Sequence, residues 1–346
     1  MAQPTFFRRG SSSSQAHAVF ILSLLCLLAL SSLFFAAMIG SLSLPLSELP
    51  RACQELFQGK ASTLAAVLLE LRLGRALTAF VTGATLALAG VMMQALLRNP
   101  LADPYVLGIS GGAAVGALAA ILLMATAWMV DAAALGGAVV VSMLLYFFAR
   151  HDLRNGLAAG GTSFLLLTGV ILSSGCMALV TLMLSVAPDG RLRSMVFWMI
   201  GDLAGAPARW LPWLVLFCAL LFALRSARAI NLLAQHAEAA ATLGVRVAAL
   251  RKSLFFCSGL LTASAVTTAG SIGFVGLIVP HACRFALGSD HRLLLPASSL
   301  VGGAFLVFAD TLARTVLAPQ QLPVGVLTAL VGVPIFLFQL QQMRRK

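Results

Sequence analysis

Acids, histidines and cysteines are the raw material of hydrolytic, redox and metal chemistry, and in this chain they are few and dispersed. The five histidines (His17, His151, His236, His281 and His291) are scattered over loops and the ends of apolar runs, with no spacing that closes a metal shell. Cys26, Cys176, Cys218, Cys257 and Cys283 lie inside apolar runs, where a thiol packs as a small hydrophobe, and Cys53 stands alone. Searches for a Gly-x-x-x-x-Gly-Lys-Ser/Thr loop, a His-Glu-x-x-His helix and a Gly-x-Ser-x-Gly elbow find none. No acid falls between Asp103 and Asp131, or between Asp152 and Asp189. Ion-coupled carriers place ionisable groups near the bilayer midplane, so these acid-free runs argue against a secondary transporter. The scattered side chains argue equally against a membrane enzyme. Asp310, with Arg314 four residues on, reads as a structural ion pair near the outer end of a span.

What the chain does have is polar punctuation between apolar runs. Gln94–Gly116 packs Arg98, Asn99, Pro100, Asp103 and Pro104 into seven positions, and two prolines four apart break a helix. Gly108, Gly112 and Gly116 follow at intervals of four, which strips one helix face for close packing. A second polar stretch, Gln235–Arg246, combines strong helix formers with Gly244 as a stop. It fits a short helix either docked in a partner's groove, with Glu238 near its start, or lying as a linker on the membrane surface.

The elements that hold these breaks are membrane spans. Hydrophobic residues make up 60% of the chain and charged residues 10%, far below the roughly 25% of soluble domains. At about 20 residues per span, 346 residues accommodate an all-α polytopic protein of about ten transmembrane helices and no separate soluble domain. Spans are expected near 18–39, 71–97, 105–130, 132–149, 162–187, 210–224, 253–269, 272–287, 293–314 and 323–342. Residues 1–17 form a tail, 46–57 an amphipathic interfacial segment, 189–207 a re-entrant or interfacial piece, and 225–252 the longest polar interval. Alternating these spans from a cytoplasmic N-terminus puts roughly two-thirds of the 23 Lys and Arg residues inside. The net charge of +12 is therefore a topology signal rather than a nucleic-acid footprint.

Four blocks in order carry a family resemblance. They are Arg72-Leu-Gly-Arg75 with Gly83–Gly90, Arg98-Asn-Pro-Leu-Ala-Asp-Pro104, Gly273–His281 with Gly288–Pro296, and Leu322–Ala329 with Gly332-Val-Pro334. From about Leu71 onward the chain resembles the FecCD/BtuC-like permeases of ATP-binding-cassette (ABC) importers, which move iron–siderophore complexes, haem or cobalamin. The resemblance implies the type II importer architecture with an internal inverted repeat, and one permease domain spanning 1–346. It implies a second permease subunit (most simply an identical one), two ATPase subunits that use the ATP, a periplasmic binding protein and an inner-membrane location with both termini cytoplasmic. No cofactor on this chain and no nucleic acid are implied.

Residue by residue, Glu238, Ala239, Ala240 and Gly244, with Arg246 closing the segment, resemble the stretch that contacts the ATPase. Arg72, Arg75 and Arg314 match outward arginines that pair with carboxylates on the binding protein. Asn99, Leu101, Thr162 and Ser163 match positions near the cytoplasmic gate. Gly74 stands where the family has proline, and Gln321 where it often has glutamate. The expected cargo is a ferric siderophore, with haem or cobalamin as alternatives.

Overall fold

The computed structural model describes residues 11–344 except 41, 43, 156–160, 205, 207 and 236, and every regular element among them is helical. α1 (Ser11–Met38) is apolar all round and almost wholly uncovered by protein, as befits a helix facing lipid. A 3₁₀ turn (Leu46–Glu48) leads into α2 (Leu49–Phe57), a short amphipathic helix with Pro50 in its first turn. Glu55 on α2 accepts hydrogen bonds from the backbone N–H and hydroxyl groups of Ser62 and Thr63 at 3.0–3.1 Å. Those bonds, the Thr63 backbone donor foremost, hold its carboxyl down at about 2. Thr63 in turn caps α3 (Leu64–Leu97), its hydroxyl accepting from Ala66 N–H.

α3 is the axis of the molecule. It runs 34 residues, begins earlier than expected, and is buried over most of its apolar length. Glycines make its closest approaches: a Cβ on Gly83 would sit 2.2 Å from the Gly302 carbonyl oxygen, and one on Gly90 1.9 Å from that of Gly276. Gly302 lies on α12 (His291–Ala313) and Gly276 on α11 (Val275–Leu287), so both neighbours touch α3 backbone to backbone.

The third expected span is shorter than its hydropathy suggested. A 3₁₀ turn (Pro104–Leu107) precedes α4 (Ile109–Leu122), which ends where Met124 turns left-handed at φ 59°. α5 (Ala127–Asn155) starts five residues before the expected 132 and runs past 149. α6 (Gly161–Val186) follows its expected bounds, and α7 (Asp189–Ile200) fills the first part of the piece expected at 189–207. α8 (Leu211–Gln235) continues eleven residues beyond 224, because Ala227, Ile230 and Leu233 stay buried while Arg225 and Arg228 stay on the rim. The polar interval expected at 225–252 therefore contracts to α9 (Ala237–Thr242) and its flanks, since α10 (Val247–Ala269) has already begun by 247. α13 (Val324–Arg344) closes the chain.

Six helices, α1, α3, α5, α6, α8 and α12, are long and apolar enough to cross a membrane among the described residues. α4, α10, α11 and α13 occupy the other four expected places. α4 and α11 are only 14 and 13 residues, and each is preceded by a break in the chain, 98–108 and 270–274. In the first break the Tyr105 hydroxyl oxygen accepts the backbone N–H of Ile272, which lies in the second. Gly201, just after α7, reaches the same place: its carbonyl accepts from Gly325 N–H, and Asp202 N–H donates to Ala269.

Candidate functional site

Two clusters of polar side chains lie at opposite ends of the bundle. At the end assigned outside by charge, Arg75 of α3 forks both oxygens of Asp310 on α12: Nε lies 3.0 and 2.9 Å from Oδ1 and Oδ2, and Nη2 2.8 Å from Oδ1. The Asp310 side chain is 2% exposed and that of Arg75 14%, so the pair is largely out of water. Arg314, the partner suggested by i,i+4 spacing, is farther off at 3.8 Å. Arg314 instead donates to the Ala36 carbonyl, and Arg72 to the carbonyls of Ala37, Met38 and Leu42.

These two arginines thus satisfy carbonyls left over at the C-terminal end of α1, where a cation also favours the helix dipole. Both side chains are buried, and their hydrogen bonds run to carbonyls at and just beyond the end of α1. Arg75 keeps one edge toward a cavity of about 560 Å³ lined by all three arginines, Glu70 and Gln321. Gln321 Oε1 accepts from Arg75 Nη1 at 2.7 Å, so a glutamate there would face a cation. Gly74 has open space around it, with Ala208 as its nearest neighbour at 3.9 Å.

At the other end, the turn after α3 is built by Arg98 in the left-handed region (φ 50°), an Asx turn from Asn99 Oδ1 to Leu101 N–H, and Asp103 capping Tyr105 N–H. Asn99 and Leu101 are both half-buried in this turn. Thr162 and Ser163 fall in the first turn of α6; their side chains lie outside the described residues. The glycine ladder divides. Gly112 and Gly116 face α5, where a Cβ would meet the carbonyls of Gly137 at 2.5 Å and Ala133 at 2.0 Å. Gly108 is instead a left-handed turn residue (φ 78°) against Ser173 and Gly169 of α6.

α9 projects from the same end. Ala237 and Ala240 bury its inner side, whereas Glu238, Ala239, Leu243, Gly244 and Arg246 are exposed, Leu243 to 67%. The helix closes with a Schellman motif: Val245 N–H donates to the Ala240 carbonyl and Gly244 N–H to that of Ala241, with Gly244 at φ 83°. Sequence reasoning missed the Arg75–Asp310 pair, the carbonyl clasp on α1 and the Tyr105–Ile272 bond. Their partners lie 30 or more residues apart, and no local spacing signals them.

Known proteins bear on this geometry directly. The family model described as the FecCD transport family matches residues 24–342. The cobalamin import system permease protein BtuC of Halobacterium salinarum is 43% identical over 278 residues, 78% of this chain and 72% of that protein. The vitamin B12 import system permease protein BtuC of Escherichia coli is 40% identical over 281 residues, 80% of this chain and 84% of that protein. A solved inward-facing structure of a metal-chelate type ABC transporter superposes with a TM-score of 0.80 at 33% identity, covering 93% of this chain and 99% of its own.

Proposed function

The chain belongs to the FecCD transport family and is a multi-pass membrane permease, and on that premise we propose that it forms the pathway of an ATP-driven importer for cobalamin. The observation that carries the cargo is the 40–43% identity to two permeases named for cobalamin import. It favours cobalamin over the iron siderophore that the family resemblance put first. In this reading the chain works with a second permease subunit, two ATPase subunits and a periplasmic binding protein. It lies in the inner membrane with both termini cytoplasmic. ATP is bound and split by the partners, and this chain holds no cofactor.

The exposed side of α9, with Glu238, Ala239, Gly244, Arg246 and the protruding Leu243, suits docking into an ATPase groove; Ala240 anchors the helix from within. A push on α9 passes into α8 and α10, against which it packs. The far end of α10 is bonded through Ile272 to Tyr105, so movement there reaches the turn carrying Asn99 and Leu101. These two, with Thr162 and Ser163, would form the cytoplasmic gate. Arg75, with Arg72 and Arg314 behind it, would receive carboxylates of the binding protein at the outer end. Gly112 and Gly116 keep α4 tight on α5 while this happens. Replacing Glu238 and Gly244 together in reconstituted vesicles should leave ATP hydrolysis running while cobalamin uptake falls. Unchanged coupling would remove α9 from the mechanism.

A further inference from the structure

A cavity of about 340 Å³ lies at the inner end, between the last turns of α3 and α8 and the elbow joining α11 to α12. Gln94, Arg98, Asn231, Arg284 and His291 line it. Its charge is one-sided. No carboxylate lies within 4 Å of the Arg98 or Arg284 guanidinium among the described residues. The nearby acid, Asp290, is already engaged: its Oδ1 accepts from Asn231 Nδ2 at 2.8 Å and from Arg292 N–H at 3.0 Å.

Two polar atoms of deeply buried side chains in this wall have no partner. Gln94 is 3% exposed; its Nε2 donates to the Leu277 carbonyl, which fixes the amide so that Oε1 is the unpartnered atom. His291 is 2% exposed. Asn231 Oδ1 already accepts the His291 backbone N–H, so His291 Nδ1, 2.7 Å away, must carry the proton, which leaves Nε2 without a partner. Leaving such atoms unmet in a native wall is costly, and a resident guest removes the cost. Arg98 adds a second kind of strain. It holds the left-handed region, which an L-residue adopts at a cost that glycine does not bear, at the C-terminal cap of α3.

We propose that this cavity binds a phosphate-class anion, gripped by Arg98 and Arg284 and completed by Gln94 and His291. Guanidinium forks match phosphate oxygens, and an uncompensated basic cleft concentrates anions. Gln94 Oε1 and His291 Nε2 are both acceptors, and the two O–H groups of dihydrogen phosphate, or the hydroxyls of a glycerol ester, supply the donors they lack. The anion ties the turn after α3 to the α11–α12 elbow beside the α8–α9 junction. Its source is either free phosphate or an anionic lipid headgroup of the inner leaflet.

The full chain, purified in neutral detergent, would be titrated with sodium phosphate against sodium chloride of equal ionic strength, followed by calorimetry and thermal shift. Nanodiscs of phosphatidylglycerol and of phosphatidylcholine form the second arm. Saturable stabilisation by phosphate in detergent identifies a free anion; stabilisation in phosphatidylglycerol alone identifies the headgroup. Arg98→Gly is the sharper variant, because it removes one guanidinium while relieving the left-handed backbone. It should leave the ligand-free melting temperature equal or higher and weaken the anion at least tenfold. Arg284→Gln should weaken it similarly. No saturable effect in either arm, or an Arg98→Gly protein that binds as tightly as the parent, overturns the proposal.

Discussion

Asp310→Asn is the most informative single change at the outer end, because it keeps the shape of the side chain and removes only its charge. In the parent, Asp310 meets Arg75 through three contacts of 2.8–3.0 Å with its own side chain 2% exposed. Arg314 stands 3.8 Å away, and Arg72 belongs to the same cluster, so Asp310 is the counter-charge for a group of cations. Removing one partner of a buried pair typically costs about 3–5 kcal/mol, most of it from the stranded partner. A value near the lower end is expected, since Arg75 keeps Gln321 and an edge on the cavity. Unfolding in mixed micelles, followed by circular dichroism, reads the loss. A double-mutant cycle with Arg75→Met should return about 1–3 kcal/mol of coupling. A single variant within about 0.5 kcal/mol of the parent, or an additive cycle, would refute the view that this pair fastens α3 to α12.

Three further outcomes follow from other contacts. Gln321→Glu should stabilise the protein by up to about 1 kcal/mol, because it adds a carboxylate beside Arg75 in a cluster short of negative charge; a loss of stability in the same assay would count against that electrostatic reading. Gly83→Ala would drive a methyl to 2.2 Å from the Gly302 carbonyl, and overpacking of this kind costs roughly 1–3 kcal/mol; a normal melting temperature would mean α3 and α12 do not meet there. Glu55 is ionised in the folded state down to about 2, below its ordinary 4.5. Its tie to Ser62 and Thr63 is therefore complete above about pH 4.5 and is lost as pH falls toward 2. Protection factors at residues 62–66, taken relative to intrinsic exchange at each pH, should fall across that window, and Glu55→Gln should abolish that change.

The helices at the ten expected span positions were legible in the sequence because apolar length is a local property. Their ends were less so, for identifiable reasons. Leu123-Met-Ala125 is as apolar as the helix before it, so hydropathy could not reveal the left-handed turn at Met124 that ends α4. Arg225 and Arg228 looked like the close of a span, yet α8 continues because every third or fourth residue behind them is buried. Arg72 and Arg75 were expected at the very start of the second span, but lie two to three turns inside α3, their charge met by carbonyls and Asp310. The Schellman stop at Gly244 was legible because its signal is confined to one turn. The inner cavity was not, since Gln94, Asn231 and Arg284 come together only when three helix ends converge.

The proposed passage of cobalamin under the control of an ATPase can be measured directly. Its most direct test is uptake of radiolabelled cobalamin into vesicles holding the chain with its ATPase and binding protein. ATP-dependent accumulation of cobalamin, with a ferric siderophore failing to compete or to stimulate ATP turnover, is the result expected. Siderophore-stimulated turnover without cobalamin uptake, or uptake by the chain alone under an ion gradient, would contradict the account.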